Sequence, residues 1–219
     1  MTFSGEKAVN LNVVVCHAPG SAVVERALAG VVETGLPGLI MLAGPALGAA
    51  RVLADADWVP VESGPFMALA LSRADPDTAV RRLDRQGLTE LRSMVEETYR
   101  LSPSIADLAL PDAAASDAPD ADAAFATWGL YEGDTMVSGV GTSTVGDNVC
   151  IWFMATPPGL QRRGYGRRLL TGVLAQCAEQ GASTGLLISS PAGEALYLSM
   201  GFSVVEHWQV WSRPRWVLV

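Results

Sequence analysis

Lysine, histidine and cysteine are all scarce in this 219-residue sequence, and these shortages exclude several classes of function. Lys7 is the only lysine, and there are two histidines and three cysteines. The cysteines, Cys16, Cys150 and Cys177, form no CxxC pair and no cluster with histidine, so the sequence predicts no metal site. Cysteines that are odd in number and widely spaced are typical of reduced thiols, which favours a cytoplasmic protein.

Positive charge is also in short supply. Lysine and arginine total 15 against 23 aspartate and glutamate residues, which gives a net charge of −8. A protein that binds duplex nucleic acid needs a broad basic face to neutralise phosphates, so we expect no nucleic-acid partner. The acidic balance is compatible with a small cationic substrate.

No apolar run is long enough to span a membrane. Leu36–Ala50 is uncharged, but prolines and glycines interrupt it, whereas a spanning helix needs about twenty apolar residues. Met1–Glu6 lacks the basic segment and apolar stretch of a signal peptide. Because 49% of all residues are apolar, the chain can still bury a sizeable core. We therefore expect a globular cytoplasmic protein with no membrane partner.

Hydrophobic periodicity divides the chain into strands and helices of mixed order. The first part alternates the two types: strand Leu11–Cys16, helix Ser21–Val32 with Ser21 as its N-cap, strand Leu39–Leu42, helix Ala46–Leu53 and strand Phe66–Leu71. The second part predicts strand Val80–Leu83, helix Leu88–Tyr99, a hairpin of Phe125–Tyr131 and Thr135–Thr142, strand Asn148–Met154, helix Arg162–Gln180, strand Thr184–Ser189, a short helix around residues 195–197, and strands Phe202–Glu206 and His207–Trp211. This order predicts an α+β fold.

An acidic segment, Asp107–Asp122, separates the helix from the hairpin. It has five aspartates, two prolines and no basic residue. Such a composition is typical of a solvated loop. The alternative is an acidic rim beside the binding site of a cationic substrate.

A loop rich in arginine and glycine, Gln161–Arg167, joins the predicted strand Asn148–Met154 to the helix that follows. The first turn of a helix has about four unpaired N–H groups, and the helix dipole adds partial positive charge there. Gly164 and Gly166 let the main chain approach a ligand closely. The spacing therefore predicts a site for a pyrophosphate, with added positive charge from Arg162, Arg163, Arg167 and Arg168.

Two better-known phosphate-binding motifs do not fit this loop. A dinucleotide-binding loop needs a third glycine, but Leu169 occupies that position and no βαβ repeat surrounds it. A Walker loop needs Gly-Lys-Ser/Thr, which is absent here.

The loop resembles the signature of the GNAT superfamily of acyl-CoA-dependent N-acyltransferases, Gln/Arg-x-x-Gly-x-Gly/Ala, with Gln161, Gly164 and Gly166 in the signature positions. A second motif agrees, because Tyr197 lies four residues before the pair Gly201-Phe202, as in that family. The resemblance covers about residues 78–214. It implies a mixed, mostly antiparallel sheet flanked by helices.

The resemblance also implies which residues contact the donor, acetyl-CoA. Main-chain groups of Met154, Ala155 and Thr156 would pair with the pantetheine arm. An asparagine of the family pattern is replaced by Ser190. The loop that binds the diphosphate is formed by Gln161, Arg162, Arg163, Gly164, Tyr165, Gly166 and Arg167.

Direct attack of an amine on the thioester requires an acid for the departing thiolate. Tyr197 is the candidate for that acid, and a core tyrosine on a short helix is the alternative. A main-chain N–H near Met154 would stabilise the oxyanion. No general base is assigned: the acidic residues near the hairpin also suit exposed turns, and a water relay is an equal alternative. The residues that could act as the base are Glu132, Asp134, Asp147 and His207.

Aromatic residues on the predicted central strands allow two interpretations. They could line a pocket for the acceptor, but aromatic side chains on central strands more often belong to the core. The residues concerned are Trp128, Trp152, Phe153 and Trp208.

Residues 1–77 resemble the degenerate first half found in some GNAT-like chains. They contain no Gln-x-x-Gly-x-Gly loop, so we expect an N-terminal α/β subdomain that binds no CoA and shapes the acceptor side. The alternative is that it lies against a partner. Residues 78–219 are expected to form the GNAT acyltransferase domain.

The predicted function is transfer of an acetyl group from acetyl-CoA to a primary amine, either a small cationic amine or a protein lysine or N-terminus. The alternative is a non-catalytic module that senses acyl-CoA and signals to a partner. The expected partners are acyl-CoA and an amine, and the sequence leaves a homodimer open.

Overall fold

A computed structural model describes residues 2, 3, 5, 7, 9, 12–112 and 125–217. The chain forms two compact units. The first comprises Met1–Met67, Ile188–Ala195 and Val204–Val219, and the second comprises Ala68–Leu187 and Leu196–Ser203. The sequence-based division into domains at residues 77 and 78 stays a prediction.

The elements of the first part of the chain alternate strand and helix. They are β1 (Thr2–Phe3), β2 (Asn12–Cys16), α1 (Ser21–Thr34), β3 (Leu39–Leu42), a 3₁₀ helix (Gly44–Ala49), α2 (Ala50–Ala54) and β4 (Val59–Ala70). β1 pairs antiparallel with β2, and β2 pairs parallel with β3. The parallel pair with α1 as its connection is the arrangement expected of an α/β subdomain.

The first unit is held by the apolar face of α1. Val24, Ala27 and Val31 are buried, as helical spacing requires, and they belong to one core cluster with Ile40 and Leu42. The helix begins directly after Gly20, which has φ 98°, and no side chain caps it. The prediction that Ser21 is the N-cap was therefore wrong by one residue, because the glycine makes the turn.

The remaining elements follow in chain order. They are β5 (Val80–Arg82), α3 (Arg85–Tyr99), α4 (Pro103–Ala109), β6 (Phe125–Glu132), β7 (Thr135–Val145), β8 (Asn148–Ala155), α5 (Tyr165–Glu179), β9 (Thr184–Ile188), α6 (Glu194–Ser199), β10 (Ser203–Ser212) and α7 (Pro214–Val217). A single turn of 3₁₀ helix, Pro158–Leu160, lies between β8 and α5.

The pairing of the strands confirms the predicted fold class. β5, β6, β7 and β8 pair antiparallel in succession, and β9 adds to β8 in parallel. In the first unit, β10 pairs antiparallel with β3. The result is a mixed, mostly antiparallel sheet structure with flanking helices, which is an α+β fold.

Helix α3 packs very closely on the hairpin of β6 and β7. The side chain of Asp84 caps the helix by accepting a hydrogen bond from the Gly87 N–H at 2.8 Å. A Cβ placed on Gly139 of β7 would lie only 2.6 Å from Leu91 Cδ1 of the helix, so any side chain there would displace Leu91. Leu88, Leu91 and other residues of this face form the core of the second unit.

Three sequence predictions need correction. Phe202–Glu206 and His207–Trp211 are not two strands, since β10 runs through both without a break. Helix α5 begins at Tyr165 and not at Arg162, because Arg162 and Gly164 have φ of 64° and 85° and cannot continue a right-handed helix. Helix α4, which was not predicted, extends to Ala109 and so includes the first residues of the segment Asp107–Asp122, whose composition favoured a loop.

Part of the predicted acidic segment lies outside the described residues, as does Leu11 of the first predicted strand. The described aspartates of that segment are paired with cations. Asp107 and Asp112 both contact Arg92, and Asp112 also lies 3.5 Å from Arg85. Their role as a rim for a cationic substrate stays a prediction.

The described part of the chain contains no helix long and apolar enough to cross a membrane. Within the same residues, no group of three or more His, Cys, Asp and Glu side chains could hold a metal ion.

Candidate active site

The end of β8 carries a β-bulge. Gly141 of β7 pairs with Trp152, whereas Gly139, two residues away, pairs with Ala155, so β8 has one extra residue in this interval. Phe153 lies in the bulge with φ 49°, a left-handed conformation that is rare for a residue with a side chain. The bulge re-aims the main chain at the end of this central strand.

On its other side, β8 shares only a short register with β9. The pairing runs from Asn148 with Thr184 to Cys150 with Leu186, whereas β8 continues to Ala155. Within the described residues, the end of β8 after Cys150 therefore has main-chain groups that do not pair with β9. Such groups need other hydrogen-bond partners, which a ligand can supply.

The loop after β8 is held in place by internal hydrogen bonds. Ser138 Oγ is fully buried, donates to the carbonyl of Ala155 at 2.9 Å and lies 2.8 Å from Thr156 Oγ1. Gln161 Nε2 donates to the carbonyl of Thr156 at 3.0 Å. These bonds hold the start of the loop to β7 and to Gln161.

The turn into α5 is made by two left-handed residues. After Arg162 and Gly164, the first main-chain hydrogen bond of the helix runs from the Arg168 N–H to the Gly164 carbonyl at 3.0 Å. The N–H groups of residues 165–167 precede that bond and have no carbonyl partner within the helix. Because α5 has fifteen residues, its dipole places partial positive charge at the same point.

The four arginines of the loop and the first turn of α5 differ in their surroundings. Arg167 donates to the carbonyl and the hydroxyl of Ser199, at the end of α6. Arg168 Nε lies 2.6 Å from Asp77, and this hydrogen bond, with one from the Ala79 N–H, lowers the pKa of Asp77. Two of the predicted phosphate-binding cations thus have protein partners. Arg162 and Arg163 are exposed.

Tyr165 and the base candidates have identifiable contacts. Tyr165 Oη donates to Glu132 at 2.7 Å, and this bond raises the pKa of Tyr165. Asp147 accepts a hydrogen bond from Ser183. Asp134 and His207 are exposed.

Tyr197 occupies a buried position on α6. The residue is 8% exposed, and its ring meets the ring of Phe202 edge-on with centroids 5.8 Å apart. Burial raises the pKa of Tyr197 to about 12, so the hydroxyl keeps its proton at neutral pH. A protonated hydroxyl is able to donate a proton to a leaving thiolate.

Sequence reasoning missed two residues, Tyr99 and Ser138. Tyr99, the last residue of α3, donates a hydrogen bond to the carbonyl of Met154 at 2.8 Å. Its sequence position marked only the end of an amphipathic helix. Ser138 gave no signal, because a serine inside a hairpin strand has no distinctive pattern.

The aromatic candidates separate into different environments. Trp128 is buried and donates to Thr142, as a core residue does. Trp152 is 42% exposed and Phe153 is half-buried. Trp208 belongs to the first unit, where it stacks on Phe66.

Ser190 also lies in the first unit, whereas the other predicted site residues lie in the second. It is exposed, and its carbonyl accepts hydrogen bonds from the N–H groups of Gly193 and Glu194 at the start of α6.

Comparison with known proteins agrees with this geometry. Residues 109–212 match the family model described as an acetyltransferase (GNAT) domain. No curated protein matches the sequence.

Solved structures share the fold at low sequence identity. A GCN5-related N-acetyltransferase from Kribbella flavida is 16% identical, with a TM-score of 0.70 over 95% of this chain and 84% of that chain. One from Sphaerobacter thermophilus is 15% identical, with a TM-score of 0.61 over 89% and 68%. The N-myristoyltransferase of Saccharomyces cerevisiae, solved with bound myristoyl-CoA, is 8% identical, with a TM-score of 0.60 over 87% and 55%.

The family match and the shared fold are both those of GNAT acetyltransferases. The chain has the fold of the GNAT superfamily, and residues 109–212 are similar to its acetyltransferase domain. The predicted family resemblance is thereby confirmed.

Proposed function

We propose that the protein transfers an acetyl group from acetyl-CoA to a primary amine, by direct attack of the amine on the thioester. The observation that carries the proposal is the start of α5, where residues 165–167 present main-chain N–H groups after two left-handed residues. A helix start of this kind is suited to the diphosphate of CoA. The yeast structure with myristoyl-CoA supports an acyl-CoA as the class of donor.

The donor would lie along the end of β8 and the loop after it. Gln161 and Gly164 shape the loop, and Arg162 and Arg163 supply exposed positive charge. A Cβ on Gly166 would meet its nearest protein atom, Met154 Cε, only at 3.5 Å. The protein itself therefore has room for a side chain there, and the glycine is best explained by close approach of a ligand.

The remaining donor contacts follow the family pattern. Met154, Ala155 and Thr156 would pair with the pantetheine arm through main-chain groups that are engaged neither by β9 nor by the side chains of Tyr99, Ser138 and Gln161. Tyr165 and Arg167 would act by shaping the loop through Glu132 and Ser199. Ser190 would offer a hydroxyl in place of the family's asparagine.

The reaction forms a C–N bond and breaks the C–S bond of the thioester. The N–H of Met154 would donate to the oxyanion, which is a one-donor oxyanion hole. Tyr197 would give its proton to the thiolate as the C–S bond breaks. The amine loses a proton to solvent or to a base, and the protein regains its tyrosine proton from solvent.

The acceptor is proposed to be cationic, either a small amine or a protein lysine or N-terminus. Support comes from the acidic net charge and from the aspartates between residues 107 and 122. The free cysteines among the described residues fit a cytoplasmic location.

Isothermal titration with acetyl-CoA and with longer acyl-CoAs tests the donor. We expect acetyl-CoA to bind and to compete with CoA. If the protein bound none of these acyl-CoAs, the proposal would be refuted, because the reaction begins with donor binding.

Thiol release with a panel of cationic and neutral amines tests the acceptor. We expect release with at least one primary amine. Binding without release from any amine would favour a non-catalytic acyl-CoA sensor, and activity with neutral amines alone would refute the cationic acceptor.

A further inference from the structure

One side chain outside the predicted site contacts both residues of the β8 bulge. Tyr99 Oη donates to the carbonyl of Met154 at 2.8 Å. Its ring meets the ring of Phe153 edge-on, with centroids 6.1 Å apart and planes at 87°.

The bulge needs such support. Phe153 has φ 49°, which is unfavourable for a residue with a Cβ and persists only where the surroundings hold it. If Phe153 returned to an extended conformation, β8 would lose its extra residue and the end of the strand would shift by one position. A shift by one residue turns every following side chain and main-chain group to the other face of the sheet.

The contact is poorly explained by stability alone. Tyr99 is 43% exposed, so its ring contributes less to the core than its buried neighbours on α3, Leu88, Leu91 and Val95. A second tyrosine of the same unit, Tyr131, also packs against this core and stacks under Arg81, but makes no contact of this kind with β8. The position of the Tyr99 hydroxyl, and not its burial, distinguishes the residue.

We propose that Tyr99 is a positioning residue for acyl transfer, which holds the main chain of the bulge so that the Met154 N–H faces the thioester oxygen. The inference rests on the proposed function, because it assigns that N–H as the oxyanion donor. The Tyr99 hydroxyl donates to the Met154 carbonyl and moves no proton in the reaction.

The test compares Tyr99→Phe with the matched control Tyr131→Phe. Each variant loses one hydroxyl from the same unit and keeps its ring. We expect Tyr99→Phe to lower kcat by about tenfold to a hundredfold, as a misplaced reacting group does, with the Kd for acetyl-CoA changed by less than about threefold. Tyr131→Phe is expected to match the wild-type protein in kcat, Kd and Tm.

A second measurement reads the contact without turnover. In protein labelled with ¹³C at the methionine carbonyls, the Met154 resonance is assigned by its loss in Met154→Leu among seven methionines. We expect this resonance to move in Tyr99→Phe and to stay in Tyr131→Phe.

The outcomes separate this inference from the proposed function. If Tyr99→Phe left kcat unchanged, or left the Met154 resonance in place, the inference would be overturned. The proposed function would still stand as long as the wild-type protein is active. A Tyr99→Phe protein that does not fold would also overturn it, because the hydroxyl would then serve the fold. A wild-type protein that binds no acyl-CoA would refute the proposed function itself.

Discussion

Two strand–loop–helix segments of this chain look alike locally but differ in what they can bind. In the first unit, β2 leads through a short loop to α1, and in the second, β8 leads through a longer loop to α5. Both helices start after a glycine with positive φ, Gly20 at 98° and Gly164 at 85°, and neither has a side-chain cap.

The difference lies in the strand and the loop, not in the helix start. The loop after β8 carries exposed Arg162 and Arg163, and β8 itself is bulged at Phe153. The loop after β2, residues 17–20, has no arginine, and β2 pairs with β3 in regular register. A helix start preceded by glycine is therefore not enough to define a phosphate site. Nearby positive charge and free main-chain groups must accompany it.

If only the second segment is functional, the largest effect should come from the phenol proposed as its acid. Tyr197→Phe is expected to lower kcat by about two to four powers of ten, because a general acid contributes that much, while acetyl-CoA still binds. Steady-state thiol release and isothermal titration measure the two quantities. If this variant turned over at the wild-type rate, Tyr197 would not be the acid, although the second segment could still bind acetyl-CoA.

Alkaline unfolding sharpens the comparison, because all four tyrosines lie outside the first unit. The pKa of Tyr197 is raised from 10.0 to about 12 in the fold. The neutral phenol therefore favours the folded state fully below pH 10, and this contribution is lost as the pH rises to 12. It corresponds to about 2–3 kcal/mol of the free energy of unfolding.

Urea unfolding between pH 8 and pH 12 measures this loss, with those limits chosen to bracket the usual tyrosine pKa of about 10. Tyr197→Phe should show a smaller loss than the wild-type protein. The variant is the needed reference because burial also raises the pKa of Cys177, to about 11. Identical curves for both proteins would contradict the prediction.

The most direct comparison of the two segments is Gly164→Ala against Gly20→Ala. Neither added Cβ would meet an atom within 4 Å, so both variants are strained only through their positive φ, by about 1–3 kcal/mol. We expect both to lower Tm, but only Gly164→Ala to raise the Kd for acetyl-CoA, by about tenfold. An equal loss of affinity in both variants would break the distinction between the segments.

The smallest effect is expected from the arginines. Arg163→Ala should weaken acetyl-CoA binding by about fivefold at low salt and less at high salt, because an exposed cation is screened. Arg167→Ala also removes one positive charge, but the Arg167 side chain is already hydrogen-bonded to Ser199. Its loss should therefore weaken acetyl-CoA binding less. Titrations at two salt concentrations test the order, and a larger loss in Arg167→Ala would reverse it.

Much of the fold could be predicted from local pattern. The hairpin of β6 and β7 and the buried face of α5, with Leu169, Leu170 and Val173, followed from periodicity and turn residues. Helix α4 was missed because its surroundings are rich in alanine and aspartate. The break assigned within β10 was wrong because an exposed His207 is compatible with a continuous strand.

The loop motif also could be located from sequence, but its contacts could not. That Arg167 and Arg168 pair with Ser199 and Asp77 depends on segments far apart in the chain. The bulge at Phe153 depends on the register between β7 and β8, which no single strand encodes. Tyr99 could not be assigned to the site before that register was known.

The bond from Arg167 to Ser199 links the helix that would hold the donor's phosphates to the helix that carries Tyr197. Phosphate binding and proton transfer would thus be linked by this hydrogen bond within a single unit. Arg167→Lys would keep the charge but lose the two-pronged geometry of the guanidinium. The two helices would then be held less firmly, without loss of either phosphate binding or proton transfer.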